Sequence, residues 1–182
     1  MLNIPASTQV LVIGGGPGGS TAATLLAREG FEVTLLEQSF FPRYHIGESL
    51  LPSILQIMDL LGAREKMERY GFQRKQGAYL TWGREQWGLN FGELAGEHTY
   101  AFQVIRSEFD QMLLEHAASQ GVQVFQGIEV RGLSFDGDRP RRAQWRQKVA
   151  QASSRGNHHH ASNGHHSSNG ASGAASGEIA FD

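Results

Sequence analysis

Three glycines near the amino terminus have the spacing of a site that binds a diphosphate. Gly14, Gly16 and Gly19 form the pattern G-x-G-x-x-G, with Pro17 and Gly18 between the second and the third. The first glycine of this pattern permits a tight turn, the second lets a diphosphate approach the backbone, and the third lets a helix pack closely on a strand. The N–H groups of a helix that starts here attract phosphate oxygens. All five residues are therefore candidate nucleotide-binding residues.

A carboxylate follows at the distance at which such sites hold a ribose. The apolar run Val10–Ile13 predicts a buried parallel strand before the glycines. A helix over Gly18–Glu29 and a second strand over Phe31–Leu36 are predicted after them. Glu37 comes directly after that strand, where its carboxylate can accept hydrogen bonds from ribose hydroxyls. A glycine-rich turn with no ligand is the alternative interpretation of the same pattern.

The rest of the chain predicts a three-layer α/β fold of Rossmann type with a mostly parallel sheet. The inserted segment Ser39–Tyr100 would cover the ligand. Ser107 and Asp110 have the spacing of a capping box at the start of a helix. The predicted helices are Leu50–Leu61, Arg64–Tyr70 and Glu108–Gln120. The predicted strands are Gly77–Trp82, Gln86–Phe91, Ala101–Val104, Val122–Phe125 and Glu129–Phe135, the last ending in a turn at Asp136-Gly137.

The composition excludes several classes of protein. The 182 residues carry 16 basic and 18 acidic side chains and no basic block, so we expect no nucleic-acid partner. No apolar run is long enough to cross a membrane, and the amino terminus lacks the pattern of a signal peptide. The sequence has no cysteine, which excludes disulfides and fits a cytoplasmic location.

The character of the sequence changes at Gln151. Residues 151–177 are almost entirely Ala, Ser, Gly, Asn and His, and cannot bury enough apolar area to fold, so we expect a disordered linker. Five of the eight histidines lie there, but no acid or cysteine organises them, and we expect no metal site. Glu178–Phe181 has the pattern of a strand that is cut short. We therefore expect an incomplete chain with residues 1–150 as the amino-terminal part of a nucleotide-binding domain, followed by this linker and by residues 178–182.

Three segments resemble the flavin-dependent halogenases, within the FAD monooxygenases that have the p-hydroxybenzoate hydroxylase fold. The first is VLVIGGGPGGSTAATLLAREGFEVTLLE, the second is PRYHIGESLLPS at Pro42–Ser53, and the third is QVIRSEFDQMLLEHA at Gln103–Ala117. The glycine motif is common to the whole group, whereas HIGES followed by LLP is much narrower. The resemblance implies that FAD is the cofactor.

The resemblance also implies a set of residues on the flavin side of the site. Arg43 has a planar fork suited to a phosphate or a flavin carbonyl, with an exposed loop charge as the alternative. Arg106 could reach the ribose or the diphosphate, and its alternative is a surface ion pair with Glu108 or Asp110. The loop that follows Arg43 leads to a helix start, and the positive end of a helix suits the anionic edge of a reduced flavin. Helix capping is the alternative for its last two residues. The loop residues are His45, Ile46, Gly47, Glu48 and Ser49.

Lys75 matches the lysine that the halogenases place beyond the flavin. It lies in GFQRKQGAYLTWG at Gly71–Gly83, a segment that resembles the corresponding region of that family. A lysine in an apolar cavity can hydrogen-bond hypohalous acid as an ammonium group, or form a haloamine when a lowered pKa frees the amine. A solvated lysine beside Arg74 is the alternative. The W-x-W-x-I-P signature of the family does not occur in these residues.

The resemblance implies a halogenase that uses reduced FAD, O2 and halide on an electron-rich aromatic substrate, with Lys75 as the catalytic residue. A separate flavin reductase would supply the reduced FAD, and the substrate could be bound to a carrier. Two alternatives stay open: an FAD-dependent hydroxylase or reductase of isoprenoid chains, and a truncated product that is inactive on its own. We expect the chain alone to be inactive.

Overall fold

The computed structural model describes residues 3–94, 99–148 and 174–182. The helices of these residues are α1 (Pro17–Arg28), α2 (Ser53–Leu61), α3 (Arg64–Arg69), α4 (Phe91–Leu94) and α5 (Arg106–Ser119). The strands are β1 (Ser7–Thr8), β2 (Val10–Ile13), β3 (Val33–Glu37), β4 (Gln73–Lys75), β5 (Gly77–Trp82), β6 (Glu85–Asn90), β7 (Ala101–Gln103), β8 (Gln123–Gln126), β9 (Ile128–Asp136), β10 (Arg139–Gln147) and β11 (Ser176–Phe181).

A parallel sheet with the strand order β2-β3-β8 forms the middle layer. Successive side chains of a strand point to opposite faces, and every residue of β3 is buried. Val33 and Leu35 of β3 pack with Ala23 of α1 and Leu114 of α5, whereas Leu36 packs on the opposite face. Strand β2 has the predicted bounds, but its residues are only partly buried or exposed because it lies at the edge of this sheet in the described residues.

A second sheet with the order β1-β11-β10-β9 covers the face of the parallel sheet opposite to α1 and α5. Leu36 of the parallel sheet packs there with Ile128, Ala143 and Ile179 of the second sheet. Strand β10 runs antiparallel to both of its neighbours, and Gly137 turns the chain between β9 and β10 with a φ of +59°. The predicted three-layer α/β fold is therefore confirmed, with helices, a parallel sheet and a largely antiparallel sheet as its layers.

The start of β11 corrects the predicted extent of the linker. The strand was expected over Glu178–Phe181 but begins at Ser176, so the last two residues of the predicted linker are part of a strand. They pair with Trp145 and Arg146 of β10. The prediction of disorder over residues 151–173, including the five histidines, lies outside the described residues.

A separate apolar cluster lies between α5 and the segment that joins β3 to α5. Side chains of α2, α3, β7 and α5 form it. Leu55 and Met58 of α2 pack there with Phe102 of β7 and Met112 of α5. Helix α2 begins at Ser53 and not at Leu50, because the Leu50 N–H donates to the Phe102 carbonyl at 3.0 Å and stays extended. Pro52 also disfavours a helical conformation of the residue before it. The predicted hairpin is present as β5 and β6, with Gly83 in its turn.

The predicted capping box at the start of α5 is wrong. The helix begins at Arg106, its N-cap is Ile105, and no side chain caps it. Ser107 therefore lies inside the first turn. Asp110 is fully buried and forms an ion pair with Arg106 instead of reaching back to the backbone. The apolar stripe of this helix, Phe109 to Ala117, is buried as predicted.

Candidate functional site

The glycine turn between β2 and α1 has the geometry that its spacing predicts. Gly14 has a φ of +104°, and its N–H donates to the Leu36 carbonyl at 2.8 Å. A Cβ on Gly19 would lie 1.9 Å from the Gly14 carbonyl oxygen, so only glycine lets α1 pack this closely. Helix α1 starts at Pro17 with Gly16 as its N-cap, and no side chain or acidic residue occupies its first turn. The positive end of the helix is therefore open.

Glu37 lies beside this turn at the end of β3 and is buried. Its Oε2 accepts a hydrogen bond from the Gly15 N–H at 2.6 Å, and its Oε1 accepts one from the Ser39 N–H at 2.7 Å. Each carboxylate oxygen has a second lone pair with which to accept from another donor. Glu37 thus fixes the glycine turn to the end of β3 and keeps acceptor capacity for a ribose hydroxyl.

A cavity of about 320 Å³ opens at the carboxyl ends of β2 and β3, where ligands bind in open α/β sheets. Its walls come from the two parallel strands and from the start of β9. They are formed by Ile13, Gly14, Leu36, Glu37, Gln38, Ile128, Glu129 and Val130. The position beside Glu37 suits the adenosine end of a dinucleotide.

Arg43 lies against the glycine turn. A Cβ on Gly16 would be 3.4 Å from Arg43 Nη2. The guanidinium lies 4.8 Å above the Phe41 ring, 3.7 Å from Asp110 Oδ2 and 4.0 Å from Glu37 Oε1. Its Nε is buried without a hydrogen-bond partner. Arg43 is therefore mostly buried and not an exposed loop charge, and its contact with a phosphate or a flavin carbonyl stays a prediction.

Arg106 is turned toward the protein. Its Nε and Nη2 donate to both oxygens of Asp110 at 2.8 and 3.0 Å, and its Nη1 donates to the Ile46 carbonyl at 2.7 Å. The ion pair with Asp110 that the sequence offered as an alternative exists, but it is buried and not on the surface. A direct contact between Arg106 and FAD stays a prediction.

The loop His45–Ser49 is exposed but held at both ends. The Val104 N–H donates to the Glu48 carbonyl at 2.8 Å, and Ser49 bridges to Gln103 of β7. The imidazole Nδ1 of His45 lies 2.9 Å from the Ile46 carbonyl. Capping of α2 by Glu48 or Ser49 is wrong, since Pro52 is the N-cap and no side chain caps this helix. These side chains thus remain available to a ligand on the loop's open side.

Lys75 and Ser49 are brought together by the pairing of β4 with β7. Lys75 ends β4, and its Nζ donates a hydrogen bond to Ser49 Oγ. The ammonium also lies 5.5 Å from the centre of the Phe91 ring, and burial lowers the pKa of Lys75. Arg74 points away, to Glu68 at 3.4 Å and to the Tyr100 ring. Lys75 is thus partly buried, whereas Arg74 is exposed, and the catalytic role of Lys75 stays a prediction.

Three features of the site were missed by sequence reasoning. Ser20 Oγ donates to the Gly15 carbonyl at 3.0 Å and braces the turn from inside α1. Asp110 was interpreted as a capping residue or as a surface partner of Arg106, and its burial between Arg106 and Arg43 was not predicted. The contribution of Ile128–Val130 to the cavity depends on how β9 crosses the parallel sheet, and no local pattern reveals that crossing.

The residues around the glycine turn fit the adenosine diphosphate part of FAD. The open space at Gly14 and Gly18, the uncapped start of α1 and the unpartnered Nε of Arg43 match a diphosphate. The cavity beside Glu37 matches the adenosine. Within residues 3–94, 99–148 and 174–182, no three His, Asp or Glu side chains converge as metal ligands. In the same ranges no helix has the length and apolar character needed to span a bilayer.

Comparison with known proteins gives the family. The profile of the family described as FAD binding domain matches residues 7–163. The chain is 58% identical over 144 residues to a tryptophan 2-halogenase of Chondromyces crocatus, covering 79% of this chain and 27% of that protein. It is 49% identical over 140 residues to the flavin-dependent halogenase armH2 of Armillaria mellea, covering 76% of this chain and 27% of that protein. It thus spans about a quarter of the length of these relatives.

Two solved structures share the fold. The myxobacterial chondrochloren halogenase CndH superposes with a TM-score of 0.73 at 41% identity, covering 79% of this chain and 34% of that one. A flavoprotein/dehydrogenase from Cytophaga hutchinsonii superposes with a TM-score of 0.74 at 31% identity, covering 96% of this chain and 37% of that one. The predicted cofactor, FAD, and the predicted resemblance to halogenases are confirmed. The chain belongs to the FAD binding domain family, and the relatives that it resembles include flavin-dependent halogenases.

Proposed function

We propose that this chain is the amino-terminal, FAD-binding part of a flavin-dependent halogenase that acts on an electron-rich aromatic substrate. The observation that carries the proposal is the contact between Lys75 and Ser49. It brings the lysine that would handle the halogen to the loop that would face the flavin. In the proposed organisation, residues 1–150 bind FAD, residues 39–100 lie on the flavin and substrate side, residues 151–175 form a linker, and residues 176–182 contain β11, which pairs with β1 and β10.

Reduced FAD, when bound, would supply the two electrons and two protons that, with one further proton, convert O2 and halide into hypohalous acid and water. In this proposal Glu37, Arg43 and the glycine turn hold the adenosine diphosphate part, and the loop His45–Ser49 borders the flavin. Arg106 holds that loop through the Ile46 carbonyl. None of these residues has to change its protonation state for the reaction.

Lys75 would pass the halogen to the substrate. As an ammonium group it donates a hydrogen bond to the oxygen of hypohalous acid, whereas as an amine it bonds to the halogen and hydroxide leaves as water. Because burial lowers the pKa of Lys75, the amine is more populated than in a fully solvated lysine. In both routes the aromatic carbon takes the halogen and loses a proton. The Ser49 hydroxyl fixes the position of Nζ.

The partners follow from the same proposal. A separate reductase would deliver reduced FAD, and the aromatic substrate would bind free or on a carrier. A cytoplasmic location fits a sequence without cysteine.

A hybrid enzyme tests this function. In the tryptophan 2-halogenase of Chondromyces crocatus, the segment that matches this chain is replaced by the matching 144 residues. With reduced FAD, O2 and halide, we expect the hybrid to halogenate tryptophan. The Lys75→Ala variant of the hybrid should still consume O2 but release no halogenated product, whereas the Lys66→Ala control on α3 should retain both activities. Halogenation by Lys75→Ala contradicts the role of Lys75, and equal loss of both activities makes it structural.

One observation favours a second candidate, an FAD-dependent enzyme that does not use halide. The Cytophaga hutchinsonii flavoprotein/dehydrogenase covers 96% of this chain, more than the halogenase CndH does. Halide dependence separates the two candidates. Turnover of reduced FAD with substrate oxidation or hydroxylation, unchanged by removal of chloride and bromide, favours the second.

A further inference from the structure

Asp110 is a fully buried carboxylate between the two arginines of the site. It lies on the inner face of α5 with no exposed surface. Arg106 binds both of its oxygens at 2.8 and 3.0 Å, and Arg43 Nη2 lies 3.7 Å from Oδ2. A charge buried without partners is strongly unfavourable. The two arginines are therefore the charged partners of Asp110, and Asp110 in turn fixes where both of them point.

Each arginine leads to a different part of the candidate site. Arg106 Nη1 donates to the carbonyls of Ile46 and Gly47, at 2.7 and 3.3 Å, on the loop proposed to border the flavin. Gly47 has a φ of +101°, and a Cβ there would lie 2.9 Å from Arg106 Nη1. The positive φ favours glycine at this position, and the guanidinium of Arg106 would have to shift to admit a Cβ there.

Arg43 leads to the other end of the site. Its Nη2 is the nearest atom to the open face of Gly16 and its Nε is 4.0 Å from Glu37, yet that Nε has no hydrogen-bond partner. Buried donors in folded proteins nearly always have a partner. An oxygen-rich ligand at the glycine turn would supply one. Nothing but Asp110, Glu37 and the Phe41 ring holds the guanidinium there in the described residues.

We propose that Asp110 is a positioning residue of the FAD site. It orients Arg43 toward the glycine turn and Arg106 toward the loop Ile46–Gly47, and so joins the diphosphate end of the site to its flavin end. Asp110 itself does not touch the cofactor. This role rests on FAD as the cofactor and not on halogenation, so it survives if the halide test fails.

The test is the affinity of the full chain for FAD, measured by titration and followed in parallel by thermal unfolding. Asp110→Asn keeps the shape of the side chain and removes its charge. We expect it to weaken FAD binding about tenfold or more, as loss of a partner that orients a ligand-holding group does at metal sites. Glu115→Gln removes a carboxylate from the exposed side of the same helix and should change the Kd less than twofold.

A double-mutant cycle separates positioning from general stability. If Asp110 acts through Arg43, Asp110→Asn should add little to the Kd of Arg43→Gln, because the residue that it positions is already gone. Because Asp110 also holds Arg106, the cycle is repeated with Arg106→Gln, and fold-changes that multiply in both double variants overturn the proposal. So does a folded Asp110→Asn variant with a Kd within twofold of wild type. If Asp110→Asn fails to fold, the Kd for FAD and the melting temperature of Arg43→Gln test the proposal instead. A tenfold weaker Kd at an unchanged melting temperature supports the proposal, and an unchanged Kd overturns it.

Discussion

At the scale of single residues, neighbouring glycines of one motif have different structural roles. Gly19 sits where α1 touches the end of β2, and its missing side chain makes room for the Gly14 carbonyl at a distance that no Cβ tolerates. Gly18 precedes it on the same helix, with no atom within 4 Å of its Cβ position. Gly19 is required by packing. Gly18 is required only if a ligand lies close to it.

This difference predicts opposite effects of the same substitution. Gly19→Ala should lower the free energy of unfolding by about 2 kcal/mol or more, because the added methyl group pushes α1 away from β2. Gly18→Ala should raise it by up to about 1 kcal/mol, because alanine is the better helix former and nothing obstructs it. Urea unfolding of the two variants measures both values. Similar destabilisation by both substitutions would contradict the packing around Gly19.

Arg43 and Lys75 show what the environment adds to a residue type. Both carry a positive charge, and the sequence alone also allows each of them to be an exposed charge outside the site. The structure buries part of each: Arg43 between two carboxylates and an aromatic ring, Lys75 between Ser49 and Phe91. The environment, and not the residue type, therefore distinguishes the candidate site residues from the other basic side chains of the chain.

At the scale of elements, sequence patterns located most helices and strands because local signals end them. Gly62 and Gly71 stop α2 and α3 with φ values of +66° and +71°, and Gly83 and Gly137 turn the two hairpins. Each of these positions can be recognised in the sequence as a glycine between apolar runs. The glycine turn of the site belongs to the same class of signals, which is why its residues could be predicted.

The features that were mispredicted depend on distant contacts. Helix α5 starts before Ser107 because Arg106 binds Asp110 and a loop sixty residues earlier. Leu50 is extended because it pairs with Phe102. The wall that Ile128–Val130 adds to the cavity depends on the packing of one sheet on another. Propensity and spacing describe near neighbours in sequence, so none of these three contacts was accessible to them.

The hairpin of β9 and β10 carries a pH-sensitive cluster. Partial desolvation opposes ionisation of Glu129, but hydrogen bonds from Arg131 at 2.9 Å and from Arg146 at 3.2 Å outweigh it and lower the pKa of this carboxyl. A pKa that is lower in the folded state stabilises the protein above the unfolded value, near 4.5. That contribution is lost as the pH falls through the folded pKa.

We therefore expect the melting temperature of the wild type to fall more steeply than that of Glu129→Gln between about pH 6 and pH 3. The variant lacks the group whose protonation weakens the hairpin. Parallel curves for the two proteins would show that the pairs with Arg131 and Arg146 contribute nothing measurable to stability.

At the scale of the whole molecule, large apolar side chains are exposed on several surfaces. Ile13 is exposed at the edge of the parallel sheet, Tyr44 and Ile46 on the loop of the candidate site, and Tyr79 and Trp82 on the β5–β6 hairpin. The chain also spans only about a quarter of the length of its curated relatives. The exposed apolar side chains are candidate surfaces for contact with other protein.

The edge of the parallel sheet is the surface from which self-association is most directly expected. Strand β2 pairs with β3 on one side, and in the described residues no strand pairs with its other side. An unprotected apolar edge strand pairs readily with another chain, and lysine at such an edge prevents this.

Ile13→Lys places a charge on a side chain that is 51% exposed at the edge, whereas Phe135→Lys does the same at a side chain that is 59% exposed near the β9–β10 turn. We expect the 182-residue chain to form dimers and larger species in sedimentation velocity at micromolar concentration. Ile13→Lys should shift the distribution to monomer, and Phe135→Lys should not. A wild-type chain that sediments as a monomer, or an equal shift with both substitutions, would show that β2 is not the associating edge.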